Sequence, residues 1–178
     1  MKICVVRHGV TKNNKLGLIN GSGVDESLEP EGFKQAEEAI SKIPKGVTRI
    51  FVSDMLRTRQ TADVINNKLN LPISFHPELK EVHFGQLAGK SWKDIEGHGL
   101  SSRQKYLDIH YDFTDHGGES AEQVKARLRK MIEKIKEEYP NDSVLIVAHG
   151  GVLRALYSMY KNEKMDNIEN ASVHEFDV

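Results

Sequence analysis

The 178-residue chain is 38% hydrophobic and 29% charged, which is ordinary globular usage and enough for one domain with a substantial core. Its 25 lysines and arginines nearly balance 26 aspartates and glutamates, so no overall field points to a nucleic-acid or anionic-membrane partner. The single Cys4 excludes an intrachain disulfide framework, and the apolar runs are too short for a signal-peptide core or a membrane span, so a cytoplasmic setting is expected.

Ile3 to Val6 is continuously apolar and runs into Arg7-His8-Gly9, which predicts a buried parallel strand carrying an arginine and a histidine at its carboxyl end. Cys4 inside that run reads as a buried thiol rather than a nucleophile. Thr11 to Gly23 is polar and glycine-bearing, as in a loop held close to a ligand. From Pro30, at a first helical position, Phe33, Ala36, Ile40 and Ile43 recur at helical spacing until Pro44. Arg49 to Ser53 is a second strand, after which Asp54 is placed to cap a helix marked by Leu56, Ala62, Ile65 and Leu69, with Arg57 in its first turn. Leu71 to Phe75 is a short third strand. Leu79 to Gly89 reads as a loop, and the polar segment on to Gly118 as partly helical.

Ser120 opens the clearest helix, with Gln123 completing a capping box and Val124, Leu128, Met131, Ile132 and Ile135 forming one stripe. Ser143 to Ala148 is a fourth strand that ends at His149-Gly150-Gly151 before a helix to about Tyr160, repeating the pattern of the first. Ala171 to Val178 alternates as a closing strand at or near an edge. Alternating strands and helices predict a mostly parallel sheet with helices on both faces, a three-layer α/β/α sandwich that binds ligands outside the carboxyl ends of its strands.

If the strands ending at His8 and His149 are neighbours in such a fold, Arg7, His8, Arg57 and His149 are expected to converge. Two guanidinium groups with two imidazoles between them suit a tetrahedral dianion such as a phosphoryl group better than a planar carboxylate or a metal, since metal binding would not gather arginines. One neutral imidazole can attack phosphorus while the other, protonated, holds the equatorial oxygens.

These residues carry a resemblance. Arg7-His8-Gly9-x-Thr11-x-x-Asn14 is similar to the signature of the histidine phosphatase superfamily, the phosphoglycerate-mutase-like fold. Asn20-Gly21 stands where that family has a pocket-lining Gln-Gly or Thr-Gly, and Leu28 to Ala36, with Gly32 and Gln35, resembles its first helix motif. Ser53 to Ala62 resembles its second arginine motif, Leu79-Lys80-Glu81 through Phe84-Gly85 its acid/base loop, Gly117 to Ser120 its late helix entry, and Val147 to Gly151 its second histidine. The resemblance implies that His8 is the nucleophile and that Glu81 protonates the leaving alcohol and then takes a proton from water. It further implies that Arg7, Arg57 and His149 stabilise the transferring group, with Asn14, Asn20, Gly21 and backbone near Gly150 completing the binding site. No metal or other cofactor is implied. Val10, Leu18 and Leu87-Ala88 differ from residues common in the family at positions that line or support the pocket mouth.

Other features have plainer readings. Arg59 is expected to pair with solvent or an acidic neighbour, and the preference for Glu81 over Asp54 or Glu119 rests on the family pattern. His83, His98, His110 and His116 are expected at the surface, His83 having the best claim to a pocket wall. Gly85 to Ser91 only superficially resembles a P-loop, being one residue short with no strand leading into it. Trp92 reads as a packing residue under the loop. The expected activity is a phosphomonoesterase acting on a small phosphorylated metabolite, with no nucleic-acid or membrane partner and homodimer pairing left open. A phosphoglycerate mutase is the near alternative, disfavoured by the short segment from Gly89 to Gly117. A protein phosphohistidine phosphatase and a non-catalytic phospho-ligand binding module are the others.

Overall fold

The computed structural model describes residues 1–95 and 103–178. Strand β1 (Lys2–Arg7) pairs in parallel with β4 (Ser143–Ala148), which pairs in parallel with β2 (Val47–Ser53), and β2 in turn with β3 (Ile73–His76). β5 (Val173–Asp177) runs antiparallel along the other side of β1, giving the order β3-β2-β4-β1-β5. The closing strand is therefore an edge strand, and the strands bearing the two histidines are neighbours, with Arg7 opposite Ala148.

The two-residue period of the strands separates the cores. Cys4, Val6, Ile50, Val52, Leu145 and Val147 face one way, onto Ala62 and Ile65 of α3 (Leu56–Leu69) and onto Ile40 and Ile43 beyond α2 (Pro30–Ala39). Ile3, Val5, Phe51, Val144, Ile146 and Ala148 face the other way, onto α6 (Ala121–Glu138) and α7 (Gly150–Tyr160). The five stripe residues of α6 are all buried, each contributing roughly 1.5–3 kcal/mol of apolar burial, and the Ser120–Gln123 capping box forms. Three layers with a mostly parallel sheet result.

Several elements differ from the sequence expectation. Residues 12–16, expected within a loop, form the short helix α1 (Lys12–Leu16), because Thr11 and Asn14 make a capping box and Gly17 closes it in the left-handed conformation. The helix begun at Pro30 is α-helical only to Ala39 and tightens to a 3₁₀ turn over Ile40–Lys42. Asp54 does not cap α3; the Leu56 N–H donates instead to Asp25 Oδ1 at 2.7 Å, a carboxylate supplied from another loop. The third strand, Ile73–His76, begins two residues later and ends one residue later than expected. The segment before Gly118 contains α4 (Trp92–Ile95), α5 (Arg103–Leu107) and a 3₁₀ turn at Thr114–His116. No helix among the described residues is long and apolar enough to cross a membrane.

Candidate active site

The arm that follows β1 is fixed from three directions. His8 N–H donates to the Ala148 carbonyl at 3.0 Å, carrying the β1–β4 ladder one residue further. Gly9 N–H donates to Thr61 Oγ1 at 3.1 Å, and Val10 N–H to Gln35 Oε1 at 2.9 Å. Gly9 and Gly32 touch backbone to backbone: a Cβ at Gly32 would stand 2.4 Å from the Val10 carbonyl oxygen. Gln35 and Gly32 thus act as scaffold for the arm, which explains their part in the motif.

His8 is buried, and its Nδ1 lies 2.7 Å from the Gly9 carbonyl. A carbonyl cannot donate, so Nδ1 carries the proton and Nε2 the lone pair. Burial, followed by the nearby Arg57 and Arg7 charges, pushes the His8 pKa well below its ordinary value, against the Gly9 bond which favours the cation. His8 is a neutral imidazole at pH 7.

His149, the N-cap of α7, is fully buried behind His8, with ring centroids 5.3 Å apart, and does not itself wall the cavity. Its Nε2 lies 2.8 Å from Ser53 Oγ, and its Nδ1 has no partner. Burial, then Arg57, His8, Arg127 and Arg7, holds its pKa well down, which favours a neutral second ring in the absence of an anion. Four cationic or titratable neighbours disfavour a further positive charge until an anion arrives.

The two buried neutral imidazoles make stability pH-dependent. Below pH 6.5 the unfolded chain takes up protons at both positions that the folded chain refuses, so stability falls as pH drops from there toward the depressed native values. The slope approaches about 2.7 kcal/mol per pH unit for two protons. Urea midpoints at pH 7 and pH 5 measure this; a flat profile would contradict the burial of both rings.

Arg57 is fully buried at the start of α3. Its terminal nitrogens donate to the carbonyls of Val24 and Gly21, both at 2.9 Å, so part of the expected phosphate fork is spent on the scaffold. Arg7 donates from a terminal nitrogen to the Ile168 carbonyl. The Nε atoms of both arginines are buried without a partner, as is His149 Nδ1: three orphaned nitrogens within the predicted cluster. Burial pushes both guanidinium pKa values down, opposed chiefly by the Glu81 carboxylate.

Glu81 lines the cavity at the amino end of α7. Its two oxygens lie 3.0 and 3.2 Å from the Gly151 N–H, and Oε1 also accepts from its own neighbour, Val82 N–H, at 2.9 Å. Gly151 is what allows this approach, since a Cβ there would stand 2.2 Å from Oε1. The rival carboxylates are engaged elsewhere: Asp54 pairs with Lys80 at 3.3 Å and Glu119 with Arg127 at 2.8 Å, and neither reaches the cavity.

The cavity has a volume of about 160 Å³, and Arg7, His8, Asn14, Asn20, Gly21, Arg57, Glu81 and Gly150 all line it. Asn20 does so with its side chain already committed: Nδ2 donates to Thr11 Oγ1 and Glu26 Oε1, and Oδ1 accepts from Asn13. These bonds brace α1 while Asn20 keeps its place on the cavity wall. Gly151 N–H, near the expected backbone donors, is taken by Glu81. Trp92 packs as expected, stacked on Tyr106 at 5.4 Å and edge-on to Phe84, and it also lines the cavity.

His83 is exposed and accepts from Gly85 N–H through Nδ1, away from this cavity, so it is no wall of it. His110 is exposed and His116 half-buried; His98 lies outside the described residues. Arg59 finds neither solvent alone nor an acid but the Asp54 carbonyl, with its guanidinium over Phe75. Burial pushes the Cys4 thiol up to about 12, in keeping with an inert core residue.

Two polar cavity residues have no part in the sequence expectation. Arg154 sits over the Tyr106 ring at 5.3 Å and hydrogen-bonds its hydroxyl, with Nε anchored on the Met165 carbonyl at 3.1 Å. Its spacing of four from Gly150 was the available signal, because such a residue shares the face that borders the helix start. Tyr106 had none, lying in a segment without periodicity.

Comparison with known proteins bears on this geometry. The model of a family described as "Histidine phosphatase superfamily (branch 1)" matches residues 3–178. The chain is 32% identical over 179 residues to the metal-independent phosphoserine phosphatase of Arabidopsis thaliana, spanning 97% of this chain and 74% of that one. It is 37% identical over 139 residues to the fructose-2,6-bisphosphatase TIGAR of Xenopus tropicalis, spanning 74% of this chain and about half, 48%, of that one. The solved mycobacterial glucosyl-3-phosphoglycerate phosphatase in complex with VO3 superposes with a TM-score of 0.87 at 25% identity, over 98% of this chain and 90% of that one.

Proposed function

Because the chain belongs to the histidine phosphatase superfamily (branch 1) and is a phosphoric monoester hydrolase, we propose that it hydrolyses a small phosphorylated metabolite through a phosphohistidine on His8. The observation that carries this reading is the His8 Nδ1–Gly9 carbonyl bond, which leaves a neutral ring with its Nε2 lone pair free in a cavity lined by the guanidinium groups of Arg7, Arg57, Arg103 and Arg154 and by the Glu81 carboxyl group.

In the first step the Nε2 lone pair attacks phosphorus, the bond from phosphorus to the ester oxygen breaks, and the Glu81 carboxyl gives its proton to the departing oxygen. In the second, water attacks phosphorus, the P–N bond breaks, and the Glu81 carboxylate takes the water proton. Arg7 and Arg57 hold positive charge where the equatorial oxygens gather negative charge, and the orphaned Nε atoms of these two arginines gain an acceptor when a dianion binds. Burial first, and then the neighbouring positive charges, keep His149 neutral, and a bound dianion offsets the second of these and so favours its protonation. The sequence of steps uses no metal.

The substrate is a metabolite small enough for a cavity of about 160 Å³ with Trp92 and Tyr106 on its wall. Arg103 and Arg154, beyond the phosphoryl cluster, suit an alcohol that bears a second anionic group, as phosphoserine and phosphoglycerate esters do.

Purified protein is expected to hydrolyse an activated aryl phosphate in the presence of chelator and to yield an acid-labile, base-stable phosphoprotein on quenching. Strict dependence on an added divalent metal, or binding without turnover, would sink the mechanism. A panel of phosphometabolites identifies the substrate class, and isomerisation of a phosphoglycerate without phosphate release would turn the assignment to a mutase.

A further inference from the structure

Residues 168–172, remote in sequence, grip the arm that carries the nucleophile. The Ile168 carbonyl accepts from the Arg7 guanidinium, the Ser172 carbonyl from Arg7 N–H at 3.1 Å, and the His8 carbonyl receives both Ala171 N–H and Asn170 Nδ2, each at 3.1 Å. Ala171 adopts φ 56°, in the left-handed region that a residue with a Cβ enters only when its surroundings hold it there.

The Asn170 amide can be oriented from chemistry alone. The His8 carbonyl only accepts, so the atom against it is Nδ2. The same NH2 group lies 3.1 Å from Asn14, which must therefore present Oδ1. Thr11 N–H, a donor only, meets that same Oδ1 at 3.3 Å, an independent agreement. Two donors on Oδ1 leave the Asn14 NH2 group, on the cavity wall, as the end available to a ligand.

We propose that Asn170 is a positioning residue for the reaction, holding the Asn14 carboxamide so that its NH2 group, and not its oxygen, meets the transferring phosphoryl oxygens; the assignment rests on the phosphoryl-transfer reading above. Without Asn170, the Asn14 amide keeps only the longer bond from Thr11, and a half-turn about its last torsion would set Oδ1 against an oxyanion. His8 loses less, because Ala171 N–H stays on its carbonyl. An acceptor in place of a donor matters most where negative charge is greatest, so kcat falls more than KM rises.

A double-mutant cycle on an aryl phosphate tests this. Asn14→Ala and Asn170→Ala each lower kcat/KM by about 10–100-fold, whereas Asn170→Ala added to Asn14→Ala costs less than about threefold, because its effect passes through the amide already removed. Asn170→Asp, of the same shape but unable to donate, lowers kcat/KM at least as far and serves in the cycle should the alanine variant not fold. Losses that multiply, wild-type kinetics for Asn170→Ala, or an inert Asn14→Ala would each overturn the positioning role. Absence of turnover by the wild-type protein would overturn the phosphatase reading itself, and so the two failures are distinguishable.

Discussion

His8→Ala abolishes turnover, with a loss on the order of 10⁴-fold or more in kcat for alkyl and aryl phosphates alike, because the substitution removes the atom that bonds to phosphorus. The phosphoprotein trapped on acid-free quenching disappears with it. Dianion binding persists, since Arg7 and Arg57 are anchored on the Ile168, Val24 and Gly21 carbonyls and not on the imidazole. The fold persists too: the His8 main chain keeps its bonds to Ala148 and Ala171. One buried neutral imidazole fewer also removes one of the two protons that the folded chain refuses. The acid-side slope of stability is expected to drop by about 1.4 kcal/mol per pH unit relative to wild type. Retained turnover in this variant is incompatible with a His8 nucleophile.

Glu81→Gln divides substrates by their leaving groups. An alkyl phosphate, whose alkoxide must be protonated as it departs, loses about 10²–10⁴-fold in kcat, while an aryl phosphate with an acidic phenol loses less than about tenfold in its first step. The amide oxygen still accepts from Gly151 and Val82 N–H groups, so the side chain stays in place and only its proton chemistry is lost. Equal losses on both substrates would take Glu81 out of the acid role and leave it as a partner of the buried arginines.

The sequence revealed those parts of the fold whose burial is written as periodicity. β1 and β4 carry unbroken apolar runs, and β2 one over Ile50–Val52, because helices cover both faces of the sheet, and α6 shows its stripe because only one side of it meets the core. Helix α1 was invisible to the same method: its five residues include none that is buried, and only its caps at Thr11 and Gly17 announce it. The cap of α3 went to Asp25, some thirty positions away, since a local carboxylate has no privilege when a loop delivers another to the same N–H groups. At the site, His8, Arg57, Glu81 and His149 were found because strand ends and a known motif pointed to them. Asn20 lines the cavity as its motif position suggests, with its amide also bound to Asn13, Thr11 and Glu26. Tyr106 and Asn170 depend on tertiary approach, which no spacing along the chain encodes, and Arg154 is legible only through its spacing of four from Gly150.

The place of β1 in the sheet also sets a timetable. Its partners on either side, β4 and β5, lie some 140 and 170 positions further along the chain, so the strand that delivers His8 must wait for both before it has neighbours. Closing such wide loops is entropically slow, and folds dominated by distant pairings are slow to form. Intermediates with β2, β3 and α3 assembled would expose an unpaired template where β4 and then β1 belong, a surface prone to pairing with other chains. On refolding, phosphatase activity should therefore return with the slowest kinetic phase, after most helical signal has been regained.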